Sequence, residues 1–226
     1  HRHRELMDLI AFAVFPRDKH HLIEPPFISI KAKDIYPNAS REIRQGKVHF
    51  TTPKVIRYFM ENALYLDSIV KHTMSEARYA HVQAMTNLAL SIAEAHSLKL
   101  PQVYLAAMLH DIAKEWPKDQ QKQWLQFINP SYTHQPSAIW HQKVGAAYAS
   151  RNLHIRDQAV LKAIAHHVEG HTDPLSQVIF IADKCDTTRD YDTVKIIDLA
   201  TRDLQRACQC VREIQMVFLD KEHPIE

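Results

Sequence analysis

Beyond residue 70 apolar positions recur at three-to-four spacing through most of the chain, the pattern of helices that each bury one face. Glu76 to His96 carries Tyr79, Val82, Leu88, Ile92 and Ala95 close to that spacing, and Pro101 restarts a helix through Leu105, Met108, Leu109 and Ile112. Trp116–Pro117 stops it. A shorter helix covers Lys118 to Ile128, a polar loop holds Pro130 and Pro136, and further helices are predicted over 138–152, 156–167, 174–186 and, as one long element, 192–219. Residues 1–36 read differently. Their short apolar runs, Leu6–Phe15 and Phe27–Ile30, are broken by Pro16, Pro25, Pro26 and Pro37, which predicts one or two strands and loops. Asn38 is a candidate N-cap for a short helix ending at Gly46, and Thr52–Pro53 opens a helix through about Tyr65. With no convincing strand after residue 36, the fold class is an all-α helical bundle with a short mixed α/β amino-terminal segment.

Composition changes this picture at two residue types. A chain of 226 residues at the usual glycine frequency would hold roughly 16 Gly; this one holds 3 Gly and 16 His. Gly46, Gly145 and Gly170 are isolated, so neither a Walker-type phosphate loop nor a dinucleotide fingerprint can form. Phosphate chemistry here falls to side chains and metals. A formal net charge of +2 gives no electrostatic case for nucleic acid. Cys185, Cys208 and Cys210 form no C-x-x-C pair, which fits a reducing, cytoplasmic setting better than a disulfide framework or zinc ribbon. The stretch Leu9 to Phe15 is too short to span a bilayer, so no membrane partner is expected. The start at His1 rather than Met predicts a missing upstream segment.

Candidate chemistry centres on Leu109-His110-Asp111 at the end of an apolar helix. Adjacent helical residues point about 100° apart, so the two side chains either flank a metal beside the helix, or Asp111 bridges two metals while His110 holds one. His81 lies in an otherwise apolar helix face upstream, and Asp183 follows the apolar run Val178–Ala182 downstream, both costly positions for unsatisfied polar groups.

The ordered set His81, His110-Asp111, Asp183 resembles the HD-domain metal-dependent phosphohydrolases. Three further stretches sharpen the resemblance to the YqeK branch: Ile139-Trp140-His141-Gln142-Lys143-Val144-Gly145-Ala146, Ala163-Ile164-Ala165-His166-His167-Val168-Glu169-Gly170, and Phe180-Ile181-Ala182-Asp183-Lys184 followed by Thr188-Arg189-Asp190-Tyr191. The match runs from about Tyr65 to Phe218. It implies an HD-domain helical bundle, a symmetrical diadenosine tetraphosphate hydrolase and a di-iron centre with His81, His110, Asp111, His141, His167 and Asp183 as metal ligands. Four imidazoles and two carboxylates suit Fe, Mn, Co or Zn better than Mg or Ca.

Two such ions about 3.5–4 Å apart would supply a hydroxide for in-line attack on phosphorus, with Asp111 the bridging carboxylate. Lys114, Arg189 and Arg78 are the candidate substrate cations, the first two also placed with Asp111 in the catalytic set, and His166 is a substrate-facing candidate. Trp116 and Trp124 read as packing residues in a lid-like segment. The expected partner is a dinucleoside polyphosphate, and related proteins often pair as homodimers. Two alternatives stand beside this reading: an HD phosphohydrolase acting on a nucleoside monophosphate, a deoxynucleoside triphosphate or a cyclic dinucleotide, and a metal-bound nucleotide sensor without turnover.

Ser40, Ile43 and Arg44, then Pro53, Val55 and Asn62-Ala63-Leu64-Tyr65, resemble the carboxy-terminal end of nicotinate-nucleotide adenylyltransferases, whose Ser-Ser-Thr-x-Ile-Arg element holds phosphates at a helix start. Ala39 and Arg41 depart from that pattern, and the family's H-x-G-H motif is absent. The domain expectation is therefore an adenylyltransferase-like remnant over 1–66, the HD domain over 67–226, and an upstream adenylyltransferase domain in the full polypeptide.

Overall fold

A computed structural model describes residues 10–15, 27–30, 40–186 and 193–222. Internal contacts divide the chain into two units, 1–42 and 43–226. In the first, β1 (Ala13–Val14) and β2 (Ile28–Ser29) pair in parallel, with the Phe12 and Phe27 rings edge to face at 6.2 Å. These two pairs of residues are the only strand among the described residues. A five-residue helix, α1 (Ser40–Arg44), follows and ends at Gly46, whose φ of +89° favours glycine.

Among its described residues the larger unit holds helices and no strand. Pro53 opens α2 (Pro53–Glu61) with the φ a first turn needs. The helix predicted through Tyr65 stops four residues early. Asn62 Nδ2 donates to the Tyr58 carbonyl at 2.9 Å, and Ala63 and Tyr65 take left-handed φ values of 51° and 58° before α3 (Leu66–Lys71) begins. Next come α4 (Glu76–Ala95), α5 (Leu100–Leu109), α6 (Lys118–Ile128), α7 (Trp140–Arg151), α8 (Gln158–His166) and α9 (Pro174–Cys185).

Caps fix where the helices that matter begin. Ser75 Oγ accepts the Arg78 amide at 3.2 Å to open α4, Asp157 accepts the Ala159 and Val160 amides to open α8, and Asp173 accepts the Ser176 amide ahead of Pro174 to open α9. The long helix expected over 192–219 is two, α10 (Val194–Ala200) and α11 (Leu204–Glu222). Between them Asp203 Oδ1 accepts the Arg206 amide at 3.0 Å, restarting the chain as a new helix.

The core runs through α4, α5, α8 and α9. Helix α4 packs on α5 and α9, while α8 packs on α5, α7 and α9. Leu109, Val178, Ile179, Ile181 and Ala182 are fully buried, and each large apolar side chain so placed contributes roughly 1.5–3 kcal/mol. Gly145 has a steric role. A Cβ there would meet Ile112 Cγ2 at 3.3 Å and the His110 carbonyl at 3.7 Å, so glycine lets α7 approach the turn that carries His110 and Asp111.

Candidate metal centre

Five chain segments converge where the core meets solvent. His81 projects from the second turn of α4, His110 and Asp111 follow the last turn of α5, His141 sits in the first turn of α7, His167 follows α8, and Asp183 lies in the last turn of α9. All six are buried, His110 and His141 completely. Their donor atoms gather in two groups, His81 with His110 and Asp183, and Asp111 with His141 and His167; within each group the atoms lie within 4.8 Å of one another.

Asp111 joins the groups through its two oxygens. Oδ1 lies 3.2 Å from His141 Nε2 and 3.3 Å from His167 Nε2, while Oδ2 lies 3.6 Å from His110 Nε2 and 2.9 Å from Arg78 Nη1. Asp183 Oδ1 lies 3.1 Å from His81 Nε2 and 3.7 Å from His110 Nε2. The two oxygens of Asp111 thus face different groups, Oδ1 towards His141 and His167 and Oδ2 towards His110.

The outer nitrogens decide which atoms face inward. His110 Nδ1 donates to the Ala107 carbonyl at 2.7 Å and His167 Nδ1 to the Ile164 carbonyl at 2.8 Å. A carbonyl only accepts, so each ring carries its proton outside and turns the Nε2 lone pair to the centre. The buried His110 Nε2 has no hydrogen-bond partner among the described residues, and the Nε2 atoms of His141 and His167 face each other at 3.1 Å. Lone pairs so crowded, with a carboxylate among them, fit a shared cation, and the mixed nitrogen and oxygen set is one that transition ions accept.

The HD domain family matches residues 78–188. The symmetrical bis(5'-nucleosyl)-tetraphosphatase of Bacillus subtilis (strain 168) is 31% identical over 163 residues, covering 69% of this chain and 87% of that protein. The chain belongs to the HD-domain hydrolases, in the YqeK branch. A crystal structure of an HD superfamily hydrolase from Clostridium acetobutylicum superposes on this HD fold with a TM-score of 0.62 at 21% identity, over 76% of this chain and 89% of that one. A probable nicotinate-nucleotide adenylyltransferase/Ap4A hydrolase of Mycoplasma genitalium is 26% identical over 154 residues. The match takes in 67% of this chain but only 44% of the Mycoplasma protein.

Charge in the HD site is set by burial and by the close carboxylates. Burial pushes the imidazoles of His110 and His141 down to about 4, which keeps both neutral and able to donate a lone pair. Burial would raise the carboxyls of Asp111 and Asp183, yet the neighbouring charges and hydrogen bonds, from His110, His141 and His167 for the first and from Lys184, His81, His110 and His167 for the second, hold both well below their usual range. His81 is the exception. Burial disfavours its charge, but Asp183 and Asp186 outweigh that and lift it to about 9.

A cavity of about 310 Å³ opens onto the HD site. Arg78 and Lys114 line it as two of the expected cations, the Lys114 ammonium 3.5 Å from His141 Nε2, with its pKa lowered by burial. Arg189 lies outside the described residues. His166 points elsewhere: its Nδ1 is 3.3 Å from Lys143 Nζ and 3.9 Å from Glu169, and its ring lies 5.2 Å from that of His171. Trp116 and Trp124 pack edge to face on each other and on Tyr148.

Three residues around the centre, two of them in the cavity wall, escaped the reading of the sequence. Lys184 pairs with Asp183 and lines the cavity, Gln215 reaches it from α11, and the buried Asp186 carboxylate lies 3.3 Å from His81 Nδ1. For Lys184 the available signal was its place beside a ligand candidate. Asp186 and Gln215 gave no signal of period or motif, since their neighbours at the site are distant in sequence.

Among the described residues no helix is long and apolar enough to cross a membrane.

Proposed function

We propose that this HD hydrolase cleaves bis(5'-nucleosyl) tetraphosphates symmetrically, converting Ap4A and water to two ADP. The observation that carries the reading is the bridging placement of Asp111 between two histidine groups, at the floor of a cavity walled by Arg78, Lys114 and Lys184. A tetraphosphate brings several negative charges, and three cations beside two metal positions suit it. The Bacillus relative, of which 87% is covered, carries the name of this activity.

His81, His110, Asp111 and Asp183 would hold one ion, and Asp111, His141 and His167 the other, most simply iron, with Mn, Co or Zn as alternatives. Bound there, the pair would lower the pKa of an attacking water and neutralise charge developing on phosphorus. The chain's own groups orient the substrate. Lys114 and Lys184 both line the cavity, with their ammonium groups beside His141 and Asp183, where they would meet phosphate oxygens. Arg78 holds Asp111 through Oδ2, and its guanidinium also faces the cavity. Arg189 remains a substrate-side candidate of this proposal, whereas His166 is turned to Lys143 and Glu169. Cleavage of the central bridge needs no proton on the leaving oxygen, because ADP departs as a stable phosphate anion.

Residues 1–66 belong to the proposal as a remnant of an adenylyltransferase end, inactive alone, with 67–226 as the HD domain. Support comes from the Mycoplasma relative, whose name joins both activities and of which this chain spans less than half. Detectable adenylylation of a nicotinate nucleotide by this chain would overturn the inactive-remnant reading.

The hydrolase reading is tested by incubating the protein with Ap4A and each of Fe, Mn and Co, then separating products, with Asp111→Ala in parallel. Two ADP from the wild type and none from Asp111→Ala is the expected result. ATP plus AMP, or no hydrolysis with any metal, overturns the proposal.

A further inference from the structure

The imidazoles of the centre are anchored unequally on their outer nitrogens. His110 and His167 lean on backbone carbonyls, and His141 Nδ1 is buried with no hydrogen-bond partner among the described residues. His81 alone of the four faces a carboxylate: its Nδ1 lies 3.3 Å from Asp186 Oδ2. Asp186 immediately follows α9 in extended backbone, its side chain is fully buried, and the contact joins the end of α9 to the second turn of α4 across 105 residues of sequence, from 81 to 186.

A buried carboxylate costs several kcal/mol unless it is partnered, so its presence here needs a reason that a backbone carbonyl would not serve. A carboxylate on the outer nitrogen fixes the ring's tautomer and plane, and raises the basicity of the inner nitrogen toward a metal. The same arrangement leaves His81 Nε2 and Asp183 Oδ1 facing each other at 3.1 Å.

We propose that Asp186 is a positioning residue that orients His81 through its Nδ1 and thereby tightens the metal position formed by His81, His110 and Asp183. The proposal rests on the metal reading of the centre and is independent of the substrate.

The test uses the protein loaded with Co(II) and dialysed against a chelator, with cobalt counted per chain and its release followed by visible absorbance. Wild type is compared with Asp186→Asn and Asp186→Glu, and with His81→Ala alone and combined with Asp186→Asn. Asp186→Asn is expected to release one of its two ions about 10- to 100-fold faster, the range for losing such an outer partner. Asp186→Glu restores most of the retention. On the His81→Ala background the Asn substitution changes release by less than about two-fold, because the residue through which it acts is gone.

Unchanged release from Asp186→Asn, or equal acceleration with and without His81, overturns the proposal. So does loss of helical circular dichroism in metal-free Asp186→Asn, which would assign the carboxylate to the architecture instead. Wild type that holds no cobalt at all overturns the metal reading itself, a result distinct from each of these.

Discussion

His141 reaches the centre with no hydrogen-bond partner for its outer nitrogen among the described residues, in contact with Asp111, His167 and Lys114. In the two-metal reading it and His167 complete the second position with Asp111. His141→Ala and His167→Ala should each lower metal content from two ions toward one and cut turnover by more than the roughly 10- to 100-fold lost with an outer partner. Elemental analysis with steady-state rates on the same samples checks this, and full turnover with one ion bound would contradict it. A second residue-scale expectation concerns His81 in the metal-free chain. Its folded pKa, about 9, lies above the unfolded value near 6.5. The stabilisation is therefore fully present below pH 6.5 and is lost as pH rises through about 9. The gap in melting temperature between metal-free wild type and His81→Gln should be several degrees at pH 6 and shrink steadily to pH 10. A gap that does not change with pH would show that His81 is held neutral.

His81, His110, Asp111 and Asp183 were legible as residues because they stand against apolar stretches, where burial without a purpose is costly, whereas His141 and His167 were reached only through the family resemblance. The partition of the six into two groups was not legible. It depends on which oxygen of Asp111 turns to which helix, and that follows from the close approach of α7 permitted at Gly145. Asp186 was invisible for the complementary reason: an aspartate three residues after Asp183 is unremarkable until α4 is laid beside it.

At the scale of elements, most helices began where a capping residue or a proline stands in the sequence, and the misplaced boundaries fell where a side chain interrupts a continuing apolar pattern. Asp203 splits the last helix, and the left-handed Ala63 and Tyr65 separate α2 from α3, features to which a three-to-four period is blind. One such local device reaches the site. Ser75 caps α4 and is itself clamped by Glu115, which accepts from the Ser75 amide at 2.7 Å and from its hydroxyl at 2.6 Å. The clamp ties the start of α4, and with it Arg78, to the segment that carries Asp111 and Lys114. Ser75→Ala should lower stability by about 1 kcal/mol through loss of the cap. Glu115→Ala should cost a comparable amount and also raise KM, since Arg78 loses its fixed start. Denaturant unfolding and Michaelis kinetics separate the two effects, and a Glu115→Ala protein with unchanged KM would restrict the clamp to stability.

For the whole molecule, the scarcity of glycine and the helical fold describe one solution. A chain with isolated glycines cannot cradle phosphate in a backbone loop, and this one instead sets side chains from six segments around a cavity of about 310 Å³. The histidine excess has a narrower meaning than its count suggests, because four of the sixteen stand at the centre and His166 faces Lys143 instead. Others serve the architecture: His96 Nε2 donates to the Ala200 carbonyl at 2.6 Å and His171 Nδ1 lies 2.8 Å from Asp173. Cleavage of Ap4A in heavy-oxygen water, with the products resolved by mass, tests the central claim most directly. The account predicts two ADP from every substrate, with one labelled oxygen per pair carried on a terminal phosphate; ATP and AMP as the products would contradict it.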